Sequence, residues 1–170
     1  MTYIPMTEPE SSIDDQGAQW LYERATKMDS VVEIGSFKGK STHALLSGCK
    51  GTVTAVDHFK GSPDPADYTL NKSGKLDFLK NVGLFPNLHL LEMSSAEASK
   101  LFLPKSVDMV FIDGCHLFED VKNDLECWMP IIRKLISGHD SGWPGVIRAI
   151  EYMGFKTLSG PNSIWYVEVE

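Results

Sequence analysis

The chain has 170 residues and a formal net charge of -7, with 16 basic residues scattered among 23 acidic ones. That length suffices for one domain with a real core, and the dispersed basic residues leave no electrostatic footprint for a DNA or RNA backbone. No apolar run approaches the ~18 residues of a membrane span, and the acidic, polar start MTYIPMTEPESSIDDQ lacks the pattern of a signal peptide, so the expectation is a cytoplasmic protein with neither nucleic-acid nor membrane partners.

In chain order, residues 1–14 read as an N-terminal segment and 15–170 as a single domain. A helix is predicted over Asp14 to Met28, with Trp20, Leu21 and Ala25 on its buried face. A β-branched strand at Val31–Ile34 then enters a turn from Gly35 to Gly39 and a helix over Ser41–Leu46. A second strand, Thr52–Val56, ends on Asp57 and leads into a Gly-, Pro- and Asp-rich loop, His58 to Tyr68, placed to cover a cleft. A helix over Lys72–Val82, a strand at Leu88–Leu91 and a helix over Ala96–Phe102 follow, with Ser95 as the expected N-cap. Next come a strand at Val107–Ile112, a helix over Phe118–Ile131, a strand at Leu135–Ser137 and a helix over Gly145–Met153. The last two segments, Phe155–Leu158 and Ile164–Val169, flank Ser159-Gly160-Pro161-Asn162 and read as a hairpin. Alternation of this kind predicts an α/β fold, a parallel sheet with helices on both faces. Cys49, Cys115 and Cys127 are odd in number and lack zinc-type spacing, which points to free thiols in a reducing compartment.

The turn after the first strand narrows the ligand. Three residues separate Gly35 from Gly39, so the dinucleotide fingerprint GxGxxG is absent. The GKS ending at Gly39-Lys40-Ser41 resembles a phosphate loop, but that loop needs four residues between its glycines to wrap an anion. Glu33, two residues before the turn, would repel a triphosphate and suits the ammonium and sulfonium charges of S-adenosylmethionine (SAM). The pattern ExGxxxG with a distal acid therefore favours SAM, with Gly35, Ser36 and Gly39 in the turn, Asp57 on the ribose and His58 beside it at the start of the covering loop.

Together with Phe111-Ile112-Asp113-Gly114-Cys115-His116 and the later Gly138-His139-Asp140, these residues resemble the class I SAM-dependent methyltransferases, in particular the small FIDGxH/GHD group akin to methyltransferase family 24. The resemblance extends over roughly residues 15 to 170. It implies a Rossmann-like, mostly parallel seven-stranded sheet with one antiparallel strand, SAM as cofactor, and the backbone of Ser95 and Ala96 at the adenine edge. It also implies that Asp113, His139 and Asp140 are candidate ligands of a divalent cation, magnesium or manganese, because metal-dependent relatives hold one with acids at these strand ends. Two positions depart from the pattern. Relatives carry an acid where this chain has Cys115, and a Pro-Gly-Gly turn where it has Arg133-Lys134.

Ligands of such sheets bind beyond the carboxyl ends of the strands, so Asp113, His116, His139 and Asp140 are expected to converge on one crevice. His139 or His116 would take the acceptor proton, since imidazole titrates near neutrality, or a cation at Asp113 and Asp140 would lower the hydroxyl pKa. Asp124, on the following helix, reads either as an acid that supports the site from behind or, more simply, as a helix-surface acid. The expected activity is SAM-dependent methyl transfer to a small-molecule acceptor, at a hydroxyl oxygen, with a homo-oligomer as one way to complete the acceptor site. A catalytically silent SAM-binding domain and a P-loop-like phosphotransferase stay open as alternatives.

Overall fold

The computed structural model describes residues 3–7, 11–67 and 74–169. The elements are α1 (Asp15–Ala25), β1 (Ser30–Ile34), α2 (Lys40–Gly48), β2 (Thr52–Val56), α3 (Lys75–Val82), β3 (Leu88–Leu91), α4 (Ser95–Ser99), β4 (Val107–Ile112), α5 (Phe118–Trp128), β5 (Ile132–Gly138), α6 (Pro144–Tyr152), β6 (Leu158–Ser159) and β7 (Trp165–Glu168). The strands form one sheet in the order β3-β2-β1-β4-β5-β7-β6. The first five run parallel, and β7 is antiparallel to both β5 and β6.

Local chemistry accounts for the boundaries. Asp14 caps α1 by accepting from the Gly17 amide at 2.8 Å, and Arg24 sits in the last turn, where a cation opposes the helix dipole. Pro144 opens α6 at a position that has no hydrogen bond to lose. The central strand β4 is buried at every residue because helices cover both faces of the sheet. One apolar cluster gathers α1, α2 and α3 around Leu21, Leu45 and Phe78. The other gathers α5 and α6 around Leu125, Trp128 and Val146.

Several expectations shift. The first helix ends at Ala25, and Trp20 is only partly buried, lying beside the Tyr166 ring under the Arg24 guanidinium. The third helix begins at Lys75; residues 72–73, like Tyr68 in the covering loop, lie outside the described residues. Ser94, not Ser95, caps α4, because Glu97 sits three residues after Ser94 and completes a capping box with it. The penultimate strand is Leu158–Ser159 rather than Phe155–Leu158, so residues 155–157 connect α6 to the sheet edge.

The longest correction is at β5, which begins at Ile132 and so takes in Arg133 and Lys134. These two residues have a partner that the sequence did not reveal. Asp108, fully buried inside β4, lies 2.9 Å from Arg133 Nη2 and 3.2 Å from Lys134 Nζ, and its Oδ2 accepts from the Asp29 amide at 2.8 Å. The carboxylate thus ties the start of β1 to β4 and β5 at the end of the sheet opposite the strand carboxyl termini. Asp108→Ala leaves the amide and both cations without it, and the expected loss is about 1.5–3 kcal/mol, read as a lowered urea midpoint at unchanged m-value.

Candidate functional site

Gly35 and Gly39 are required first by the chain's own packing. Both have positive φ, +82° and +90°, and a Cβ at Gly35 would collide with the Asp113 carbonyl where the ends of β1 and β4 meet. A Cβ at Gly39 would press on Phe78 of α3 at 3.2 Å. Between them, the turn is held by Asp57 at the end of β2. Its Oδ2 accepts from the amides of Ser36 at 2.9 Å and Phe37 at 2.8 Å, and its Oδ1 accepts from the Phe59 amide at 2.6 Å. Those are the amides a phosphate cradle would aim at an anion, and here a carboxylate already occupies them. Lys40, the cation such a loop would need, pairs with Asp15 at 3.5 Å.

Glu33 does not reach the ligand side of this turn. It is fully buried beneath it, accepting from the Ser36 hydroxyl at 2.6 Å and from the Thr42 hydroxyl. Burial pushes its carboxyl up to about 7 against the pull of those hydroxyls. The sequence placed Glu33 beside cofactor cations; the structure makes it a fastener between the turn and α2.

Beyond the carboxyl ends of the strands lies a cavity of about 430 Å³. Gly35, Ser36, Gly39, Asp57, His58, Ser95, Ala96 and Asp113 all line it. His116, Asp140 and Asp124 join them, as do residues that sequence reasoning passed over: Ser11 and Ser12 before α1, Asp67 in the covering loop, and Trp143. Asp124 was read as a surface acid, yet it is 7% exposed and turns inward with Val121, Leu125 and Trp128. That i, i+3, i+4, i+7 spacing was visible in the sequence. Asp67 and Trp143 carried no comparable signal.

At one end of the cavity, carboxylates and imidazoles alternate. His116 lies between two acids, with Nε2 2.7 Å from Asp140 Oδ2 and Nδ1 3.3 Å from Asp67 Oδ2, and its ring stacks near Trp143 with centroids 4.4 Å apart. His139 Nδ1 lies 3.2 Å from Asp140 Oδ2 and 3.6 Å from Asp113 Oδ1. The two histidines are not equivalent: His116 lines the cavity, whereas His139 is 5% exposed and sits behind Asp113 and Asp140. Burial alone would lower the His139 imidazole; the Asp140 and Asp113 carboxylates outweigh it and raise it to about 9. Burial is likewise outweighed at His116, chiefly by Asp140, and its pKa is raised. Asp140 is held well below the usual carboxylate range, burial being overcome by both histidines. Asp113, which lines the cavity, is pushed up to about 6 by burial, with His139 opposing.

A divalent cation fits part of this cluster. One ligand atom from each of Asp113, His139 and Asp140 lies within 4.8 Å of the others, and neither ring nitrogen of His139 has a hydrogen-bond partner among the described residues. The field that favours a proton on His139 would equally favour a cation between the same carboxylates. Two oxygen ligands and one imidazole suit manganese better than magnesium.

The fold recurs in solved structures. A putative O-methyltransferase from Klebsiella pneumoniae superposes with a TM-score of 0.68 at 19% identity, over 95% of this chain and 83% of that one. A putative caffeoyl-CoA O-methyltransferase from Staphylococcus aureus gives 0.66 at 16%, over 93% and 85%. The O-methyltransferase from Bacillus cereus, in complex with SAH, gives 0.66 at 15%, over 93% and 82%. These likenesses define the class I methyltransferase fold. A sequence-family model described as a methyltransferase domain matches residues 32–141, and the chain belongs to that family. No curated protein matches the chain. Among the described residues, no helix is long and apolar enough to cross a membrane.

The ionisation of His139 gives the cluster a pH signature. Its folded pKa of about 9 exceeds the ordinary value of 6.5, so its stabilising contribution is complete below that value and is lost as pH rises through about 9. Thermal melts should therefore show the protein losing stability between neutral pH and about 9.5. His139→Asn should flatten that decline, and equal slopes in the two proteins would remove the assignment.

Proposed function

We propose that this protein transfers a methyl group from SAM to a small-molecule acceptor, at a hydroxyl oxygen. The observation that carries the reading is the cavity itself. Its volume of about 430 Å³ lies in the range of small-molecule sites, and it joins the turn of β1, the acid of β2 and the Asp113–His116–Asp140 cluster in a single space. The SAH-bound relative from Bacillus cereus and the family assignment support the choice of cofactor.

Within this reading, the turn from Gly35 to Gly39 holds the amino-acid end of SAM, and Asp57 faces the ribose while fixing the turn through its amide contacts. Ser95 and Ala96 line the base end. Bound SAM supplies an electrophilic methyl group. The protein's part is then to align the acceptor and manage its proton. His116 is suited to hold an acceptor against Trp143 rather than to act as base, because both its nitrogens face carboxylates and favour the imidazolium. His139 is set back from the cavity and is protonated at neutral pH for the same reason. Asp113 lies beside His116 and Asp140 on the wall, and its pKa of about 6 suits proton acceptance near neutrality. A divalent cation held by Asp113, His139 and Asp140 would supply Lewis-acid polarisation of the acceptor hydroxyl.

A phosphotransferase is disfavoured by the same geometry, because Asp57 occupies the turn amides and Asp15 engages Lys40. A SAM-binding domain without turnover predicts binding with no product on any acceptor.

Two measurements test the proposal. Calorimetric titration should show SAM and SAH binding to the wild-type protein, and Asp57→Ala should weaken both by about tenfold or more through loss of a charge-assisted contact and of the ordered turn. Unchanged affinity in a folded variant would remove Asp57 from the site. In the second, methyl transfer should depend on added manganese or magnesium and be lost in Asp140→Asn while SAM affinity holds. Full activity after exhaustive chelation would leave Asp113 to accept the proton without a metal, and the rate should then rise as pH passes about 6.

A further inference from the structure

The segment that follows β2 is fastened on opposite sides of the cavity. Near its start, the Phe59 amide donates to Asp57 Oδ1 at 2.6 Å, and the Phe59 ring, 6% exposed, lies 5.4 Å from that of Phe78 in the core. At its far end Asp67 meets His116, with Oδ2 3.3 Å from Nδ1. The strands run in the order β2-β1-β4 and His116 follows β4, so a segment tied at both places crosses the end of β1. That end carries the Gly35–Gly39 turn, and a ligand seated on the turn lies beneath the crossing. Gly61, Ser62, Pro63 and Ala66 of this segment all line the cavity.

The two fastenings differ in kind. Phe59 is held by core packing, whereas the far end depends on a pair of side chains. Within the segment, the Asp64 amide donates to the Ser62 hydroxyl at 3.1 Å, Asp64 Oδ1 accepts from the Ala66 amide at 2.9 Å, and the Asp67 amide donates to the Asp64 carbonyl at 3.0 Å. These bonds shape the segment but tie it to no strand. The Asp67–His116 pair is such a tie. Its side chains are 3% and 11% exposed, so water screens it little and removal of one partner strands a buried charge. The other nitrogen of His116 faces Asp140 and the ring lies against Trp143, which keeps the imidazole in place to receive Asp67. Gly61, at φ 78°, lies between the fixed start and the tied end, where a glycine lets the chain pivot.

We propose that Asp67 is a positioning residue that, by pairing with His116, fastens this segment across the cavity and sets the rate at which the cofactor and its product pass. The fastening stands on these contacts alone, and the identity of what passes rests on the SAM reading. The pair closes the protein whether the turn is empty or occupied. Its loss therefore speeds entry and release alike and leaves affinity nearly unchanged.

Hydrogen exchange of the ligand-free, full-length protein tests the fastening. Asp67→Ala should exchange amides within residues 58–67 about tenfold faster with β1 and β4 unchanged, and Asp67→Asn, which keeps an acceptor oxygen without the charge, should fall between. His116→Phe, which keeps a ring beside Trp143, should give a similar gain, and the double variant no more than either single one, since each removes the same pair. Surface plasmon resonance with SAH tests the passage: both rate constants should rise about tenfold in Asp67→Ala while Kd stays within about twofold. Unchanged exchange in the segment overturns the inference, as do additive gains in the double variant or faster exchange spread equally through β1 and β4. A change in the release rate alone makes Asp67 a binding contact and overturns it too. If Asp67→Ala fails to fold, Asp67→Asn decides by the same readouts. A wild-type protein that does not bind SAH removes the SAM reading and the passage of SAH with it, whereas the exchange result still decides the fastening.

Discussion

The carboxylate of Asp57 holding the amides of Ser36 and Phe37 is the contact on which the rest of the site depends. A turn between a strand and a helix exposes backbone donors, and what fills them decides which ligand the turn can take. Because an acid from β2 fills them, the turn is closed to a phosphate and open to a ligand lying alongside it. The same contact locks β1 to β2 where their parallel pairing ends at Ile34 and Val56. Gly35 makes the arrangement possible on the other side, where a side chain would strike the carbonyl of Asp113. Three strand ends are thereby brought close enough to share one cavity.

A second constraint is the balance of charge beside that cavity. Three carboxylates and two imidazoles are gathered in a partly buried cluster, which is tolerable only because each charge faces an opposite one. Asp140 is central, with His116 and His139 on either side. It sits at positive φ, 57°, a conformation uncommon for a residue other than glycine and found where surrounding structure imposes it. Pairing with Asp140 raises both imidazoles, while burial pushes the Asp113 carboxyl up to about 6. Histidines beside the ends of strands look like bases in a sequence. In this fold their surroundings favour the imidazolium.

Buried acids recur away from the cluster, each with a different local solution. Asp108 is answered by Arg133 and Lys134 of β5 and by a backbone amide. Glu33 is answered by hydroxyls alone and titrates near 7. Asp124 faces a cavity, and burial pushes its carboxyl up to about 6. The first of these is purely architectural, since it lies at the opposite end of the strands. It also gives Arg133 and Lys134 a role: near its start, β5 supplies cations to the acid in its neighbour.

Much of this was legible from the sequence, because strands and helices announce themselves through local periodicity and punctuation. The strands Thr52–Val56, Leu88–Leu91 and Val107–Ile112 lie where the apolar runs put them. The glycines of the turn, the acid after the second strand and the order of α and β elements determined the fold class. Capping was less legible: Ser94 and Ser95 are equivalent as residue types, and only the Glu97 side chain distinguishes them. What the tertiary structure alone decided is the direction each polar side chain faces and what stands opposite it. Glu33 turned under the loop, His139 behind its carboxylates and Asp124 into the cavity, because these outcomes depend on neighbours distant in sequence. Identity and spacing fix which groups are near a strand end; burial and long-range pairing fix their charge, and with it their chemistry.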